Sequence, residues 1–248
     1  MLYNIEGKKV NIIVKNEKFE LSENIKEKML ENFKSMKQKG LNIWNGEIFC
    51  VSSMDIKKRE INLVCKMSDY AHYLYEQKVG CPKEYKCMAL SAGCLIETID
   101  GYYVIGEQDE TTSHPNMLQK VGGGIDKKDI SQNIINVEQT ILRETLEEVN
   151  INLNDKDIVI CNYLKYIFIS GKNEKPGIKI FSKVKIKMTA KQMEEYFNKY
   201  NEYLRTNNLE VEFKKIYLLK KEKAILELEN LNKPKRPYLE AILLDDIK

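Results

Sequence analysis

Val121-Gly122-Gly123-Gly124-Ile125-Asp126 is followed about twenty residues on by Arg143-Glu144-Thr145-Leu146-Glu147-Glu148-Val149-Asn150-Ile151, which together read as a glycine loop feeding a carboxylate-bearing helix. Side chains three and four apart on a helix are neighbours, so Glu144, Glu147 and Glu148 project together. Like charges held that close repel unless a cation sits between them, and hard oxygen donors suit Mg²⁺, with Mn²⁺ the second choice. A charge run alone is more often a solvated face, and Arg143 can simply pair with Glu147. The upstream order is what distinguishes this helix. A strand, three glycines that permit close backbone approach and an acidic loop come first. The helix itself then keeps Val137, Ile141, Leu142, Thr145 and Val149 on a non-acidic face that can pack on a sheet.

These residues resemble the Nudix hydrolase signature: a glycine, a spaced acidic residue, then Arg-Glu, two residues, Glu-Glu, one residue, and Gly plus an apolar residue. Arg143-Glu144 and Glu147-Glu148 match the two pairs, Ile151 matches the terminal apolar position, and Asp129 falls where the family has its first Glu. Three departures stand out: Asp129 for Glu, Asn150 for the box glycine, and a gap between Asp129 and Arg143 about six residues longer than usual. Asn best tolerates the left-handed conformation that ends such a helix, so Asn150 is physically conservative. If the extra residues precede the acidic position instead, Ile135 occupies it and the orienting carboxylate is lost.

Length and composition bound the remainder. The 248 residues exceed one average domain, and a Nudix fold of roughly 140 to 160 residues, as the resemblance implies, leaves about ninety at the N-terminus. We expect an α/β/α sandwich with a mixed sheet over 86–248 and an N-terminal α+β extension or small domain over 1–85. Hydrophobic residues at 43% supply a core, and 31% charged residues argue for a well-solvated surface rather than disorder. A net charge of +3 gives no global argument for nucleic-acid or membrane binding. No basic-then-apolar leader opens the chain and no window approaches bilayer length, so the expected location is the cytoplasm. A homodimer is compatible with the sequence, which does not read it.

The six cysteines at 50, 65, 81, 87, 94 and 161 lack zinc-type spacing, and the only histidines are His72 and His114. Reduced, mostly buried thiols are expected, with a disulfide among Cys81, Cys87 and Cys94 the lesser alternative. A Ser/His/Asp hydrolase is disfavoured because no Gly-x-Ser-x-Gly elbow is present.

Along the chain, the pattern predicts a strand over Val10–Lys15, a helix from Ser22 to Lys39 stopped by Gly40, and strands over Asn42–Ser52 and Glu60–Lys66 with a turn at Asn45-Gly46. Ser68-Asp69-Tyr70 opens a short helix carrying Tyr70, His72, Tyr73 and Tyr75, an aromatic set that reads as core before it reads as a base or sugar pocket. Two strands joined by Asp100-Gly101, a polar loop over Gln108–Pro115 and a strand over Met117–Gly122 lead to the acidic helix. Strands over Asp157–Ser170, Ile178–Ile186 and Val211–Leu219 follow. Helices are expected over Lys191–Tyr203, with Thr189 and Gln192 in capping-box spacing, and near Lys223–Leu231 and Tyr238–Asp245.

The chemistry this allows is hydrolysis of a phosphoanhydride, with Glu144, Glu147 and Glu148 as metal ligands. By resemblance, Arg143 orients the first Glu and Asp129 supports it, while Gly122, Gly123 and Gly124 contact substrate. The base is Glu144 or a downstream residue among Glu174, Glu194, Glu195, Glu210 and Glu212. Asn150, the lengthened box and the N-terminal Trp-Asn-Gly and Ser-Asp-Tyr segments resemble the Nudix branch acting on UDP-sugars. That implies cleavage of a UDP-sugar to UMP and a sugar 1-phosphate. The rival is a non-catalytic module that binds a nucleotide derivative, against which the retained like-charge cluster argues. Isoprenoid diphosphate isomerisation would need more histidine than the chain has.

Overall fold

Alternation in Val10–Val14 builds the first long strand of the molecule, which a computed structural model describes over residues 1–41, 43–170 and 176–247. A short β1 (Leu2–Asn4) precedes β2 (Lys9–Lys18), which buries Ile12 and Val14 and leaves Ile13 exposed. Helix α1 (Glu23–Gln38) starts after Ser22 and stops where Gly40 takes a φ of +85°. Its Met29, Phe33 and Met36 pack against Ala71, Leu74 and Tyr75 of α2 (Tyr70–Lys78). Between the helices lie β3 (Glu47–Ile56) and β4 (Glu60–Asp69), an antiparallel pair, with β4 parallel to β2.

Here the turn expectation is corrected. Asn45-Gly46 does not join two strands; the Asn45 side chain accepts the Ala71 N–H at 2.7 Å and the Gly46 carbonyl accepts the Tyr70 N–H at 2.8 Å, so the pair holds the start of α2. The strand therefore begins at Glu47, later than expected; Asn42 lies outside the described residues.

The second sheet is larger and mixed. Strands β5 (Leu90–Glu97) and β6 (Tyr102–Gln108) leave the Asp100-Gly101 turn as an antiparallel pair, then part. Into the split run β7 (Leu118–Gln119) against β6 and β8 (Val121–Gly124) against β5, so the single strand expected over Met117–Gly122 is two, switching neighbours at Lys120.

A hairpin of β9 (Ile130–Ser131) and β10 (Ile134–Ile135) follows, turned by Gln132 and Asn133 at positive φ. It joins the smaller sheet through Ile134 opposite Ile13, giving the order β3-β4-β2-β10-β9. Helix α3 (Val137–Val149) comes next, then β11 (Val159–Ile169), β12 (Ile178–Ile186), α4 (Ala190–Thr206), β13 (Phe213–Lys220), α5 (Ala224–Asn230) and α6 (Tyr238–Ile247). The large sheet runs β1-β11-β12-β5-β6-β13, with β5 and β12 parallel at its centre. β1 was not expected, and its pairing with β11 draws the N-terminus into the larger sheet.

The layers are those of an α/β/α sandwich. Ile141 and Val149 of α3 and Met193 and Phe197 of α4 share one core with the inner residues of both sheets. Leu228, Leu239, Ile242 and Leu243 of α5 and α6 share a second core with Tyr103, Tyr166 and Phe181. Among the described residues, no helix is long and apolar enough to cross a membrane.

Candidate active site

Helix α3 is capped at both ends, which fixes where its carboxylates point. Asn136 accepts the N–H groups of Glu138 and Gln139. Asn150 closes the other end in the left-handed conformation at φ +56°, and its amide donates to the Tyr196 hydroxyl, which in turn donates to the Asn150 carbonyl. With Ile141, Thr145 and Val149 buried against the sheet, Glu144 and Glu148 lie at the buried edge of the acidic face and Glu147 at its exposed edge.

The glycines bring the sheet onto this face. Gly122 donates its N–H to Glu148 Oε2 at 2.6 Å and adopts a φ of +133°. A Cβ on Gly123 would stand 2.5 Å from the Glu144 carboxylate. The Gly124 carbonyl accepts from Arg143 Nη2 at 3.0 Å. Each glycine therefore serves a carboxylate of α3 or its arginine through a contact within the protein.

Arg143 is held from one side and acts on the other. Asp129, 3% exposed, accepts from Arg143 Nη2 at 3.0 Å, from the Thr140 hydroxyl at 2.8 Å and from the Asp126 N–H at 2.9 Å. Arg143 Nη1 then donates to Glu144 at 2.7 Å and to Glu147 at 3.1 Å. Ile135 is a buried core residue, and it is Asp129 that pairs with Arg143.

Of the downstream glutamates among the described residues, Glu212 is delivered to the helix: Glu144, Glu147 and Glu212 each place a carboxylate oxygen within 4.8 Å of the others. Helix α4 arranges this, because the Asn201 amide donates to the carbonyls of Phe213 and Lys214, and the Asp109 N–H takes the Glu212 carbonyl. The Phe213 ring lies where a Cβ on Gly106 would be. Glu194 and Glu195 stay on the exposed face of α4, Glu210 is exposed, and Glu174 lies outside the described residues. No local pattern in the sequence sets Glu212 apart from these; its place depends on α4 lying across the end of α3.

Burial and mutual repulsion raise the carboxyls of Glu144, Glu148 and Glu212 gathered here. Burial, partly offset by Arg143, pushes the Glu144 carboxyl up to about 7. Burial and the neighbouring charges of Glu212 and Glu144 push Glu148 well above the carboxylate range, and burial raises Glu212. Glu148 Oε1 is buried without a hydrogen-bond partner among the described residues. An all-oxygen set of four carboxylates with one guanidinium and an orphaned oxygen fits Mg²⁺ or Mn²⁺.

No family model and no curated protein matches the sequence. Solved structures do align. DR0079 from Deinococcus radiodurans is 14% identical over 63% of this chain and 81% of that one, with a TM-score of 0.43. A bifunctional NMN adenylyltransferase/ADP ribose pyrophosphatase from Francisella tularensis, solved with AMP and a Mn ion, is 15% identical over 71% of this chain and 47% of that one, at 0.43. The NUDIX domain of Shewanella oneidensis NrtR, solved with ADP ribose, is 13% identical over 70% and 94%, at 0.39. What this site can do is decided by its own side chains.

Proposed function

We propose that the chain is a divalent-metal-dependent pyrophosphohydrolase of the Nudix type, cleaving a nucleoside diphosphate joined to another group. The observation that carries this reading is the convergence of Glu144, Glu147 and Glu212 on one point beside Arg143, itself fixed by Asp129. Glu144, Glu147, Glu148 and Glu212 would hold Mg²⁺, which supplies charge neutralisation on the phosphate oxygens and a more acidic water. Arg143 keeps Glu144 and Glu147 in place, and Asp129 keeps Arg143 from swinging toward the phosphates. Glu212, which forms no ion pair among the described residues, is the carboxylate we assign to accept the proton of the attacking water. Glu144 is the second candidate for that role. Gly122, Gly123 and Gly124 are assigned the substrate contact, with Gly124 the exposed one of the three.

An anionic substrate also fits the rim. Burial first, then the positive charges of Arg236, Lys78 and Lys179, hold the His114 imidazole neutral. Tyr73 stands 6.4 Å from His114 ring to ring and stacks on Tyr70 at 5.5 Å. A base-stacking and phosphate-binding subsite of this kind, resting on the α2 that Asn45 and Gly46 secure, supports a nucleotide sugar. We take a UDP-sugar, giving UMP and sugar 1-phosphate, as the substrate, in the cytoplasm where such compounds are made.

The test is mass-resolved product analysis after incubation with pooled nucleotide sugars, dinucleotides and nucleoside triphosphates, with Mg²⁺ and with chelator. Release of UMP with a sugar phosphate, lost with chelator, is expected. Metal-dependent binding without turnover would replace the enzyme by a receptor.

A further inference from the structure

Four of the six cysteines come from three segments, Cys50 on β3, Cys65 on β4, and Cys81 and Cys87 between α2 and β5, and all four are buried. The carboxylate site uses none of them. The Cys50 and Cys87 sulfurs are 2.9 Å apart, and with a ring nitrogen of His72 on α2 they form a set of ligand atoms within 4.8 Å of one another. The strand bridge of Cys50 with Ala89 and the bond from the Val51 N–H to the Met88 carbonyl hold the two cysteine-bearing segments side by side.

We propose that Cys50, Cys87 and His72 form a structural site for a thiophilic divalent cation of the Zn²⁺ class. Thiolate and imidazole are the donors such ions prefer. With metal–sulfur bonds of about 2.3 Å, two sulfurs on one tetrahedral ion stand about 3.8 Å apart, within a small side-chain rotation of the separation seen. A disulfide would use the two sulfurs but has no role for His72.

The imidazole is held as a ligand would be. His72 Nε2 lies 2.8 Å from the Tyr85 carbonyl, which can only accept, so the proton belongs on Nε2 and the lone pair on Nδ1. Nδ1 meets the Ser68 hydroxyl at 2.7 Å, so an ion on this nitrogen would have to displace that hydroxyl. Burial keeps the His72 imidazole neutral, and burial with the adjacent Cys50 raises the Cys87 thiol, so its proton leaves only as the ion binds. Glu76 Oε2 accepts the N–H groups of Cys81 at 3.1 Å and Cys87 at 3.4 Å, which orders the loop that carries Cys87. Binding releases one proton from each of the two thiols to solvent, and the two thiolates neutralise the cation. The ion would tie β3, α2 and the start of β5 together.

The experiment is a titration of the reduced, chelator-treated full chain with Co²⁺, followed by absorbance. One equivalent is expected to raise a thiolate-to-cobalt charge-transfer band with tetrahedral visible bands, all bleached by one equivalent of Zn²⁺. Carboxylate oxygens give no sulfur band, so Glu147→Gln keeps the signal, as does Cys161→Ser. Cys87→Ser and His72→Asn should weaken Co²⁺ binding at this site at least about tenfold. A measurement free of variants maps alkylation of the native thiols by mass, where Zn²⁺ should protect Cys50 and Cys87. Absence of a sulfur band at stoichiometric Co²⁺, or alkylation unchanged by Zn²⁺, overturns the proposal. So does a Cys50–Cys87 disulfide that is the stable state of the chain under thiol buffer.

Discussion

The Asn136 N–H donates to the Asp129 carbonyl at 2.8 Å, so the chain leaves and rejoins its own path around residues 130–135. Those residues are the β9–β10 hairpin, and they account for the lengthened spacing between Asp129 and Arg143. The acidic residue stays beside the arginine because the insertion is looped out, and it is looped out because β2 offers it an edge to pair with.

Excising residues 130–135 and bridging Asp129 to Asn136 with two glycines should therefore keep metal-dependent kcat within about threefold, since the Arg143 clamp is intact. Stability should fall by about 2 kcal/mol, chiefly from the lost burial of Ile135. Asp129→Asn should do the reverse: kcat falls about 10- to 100-fold through a loosened guanidinium. Steady-state kinetics and denaturant melts on both variants check this; equal kinetic losses would mean that Asp129 does not act through Arg143.

Glu212→Gln should lower kcat by about 10²- to 10⁴-fold with KM little changed, because a proton acceptor acts in the transition state more than in substrate binding. Glu194→Gln and Glu195→Gln, on the exposed face of α4, should leave both parameters alone. Full turnover by Glu212→Gln would return the base assignment to Glu144.

The core of this site was legible because helix periodicity is local: spacing alone puts Glu144, Glu147 and Glu148 on one face and Val137, Ile141 and Val149 on the other. Asn150 was legible for a similar reason, since a left-handed cap has few tolerant residues. Glu212 was not, because it arrives through the packing of α4 and the Asn201 bonds, which no window of sequence contains. Asn45-Gly46 misled: a turn dipeptide says that the chain bends there, not whether it joins strands or holds a helix start. The Cys50, His72 and Cys87 group was hidden by its irregular spacing, because β-strand register and the loop after α2, rather than a short motif, bring it together.

Tyr73→Ala should raise KM for a nucleotide sugar about tenfold with a small change in kcat, if the α2 aromatics hold the base away from the reacting phosphate. Asn45→Ala should give a weaker version of the same effect, since it removes the acceptor of the Ala71 N–H and loosens the helix start at a cost of about 1 kcal/mol. Unchanged KM in both variants, with full kcat, would remove α2 from the substrate site.

Asp246 closes the second core from α6, taking Lys165 Nζ at 2.7 Å, the Tyr103 hydroxyl at 2.7 Å and the Tyr166 hydroxyl at 3.2 Å, with Lys183 bridging it to Glu97. Burial alone would raise its pKa, but the bonds from Lys165 and Lys183 outweigh that and hold the carboxyl well below the usual range. A depressed carboxyl contributes stability that is fully present above its unfolded value of about 3.9 and is lost as pH falls toward the folded value. Asp246→Asn should thus cost about 1–3 kcal/mol at neutral pH, because Lys165 loses its partner while Lys183 keeps Glu97, and activity at 25 °C is retained so long as the variant stays folded. The gap between the melts of the two proteins should then start to narrow below about pH 4, where Asp246 protonates in the unfolded chain, and shrink progressively toward the depressed folded value. The readout is the difference between their curves, which cancels the titration of every other carboxylate. A constant gap from pH 7 to pH 2 would show that Asp246 is not held ionised by its lysines.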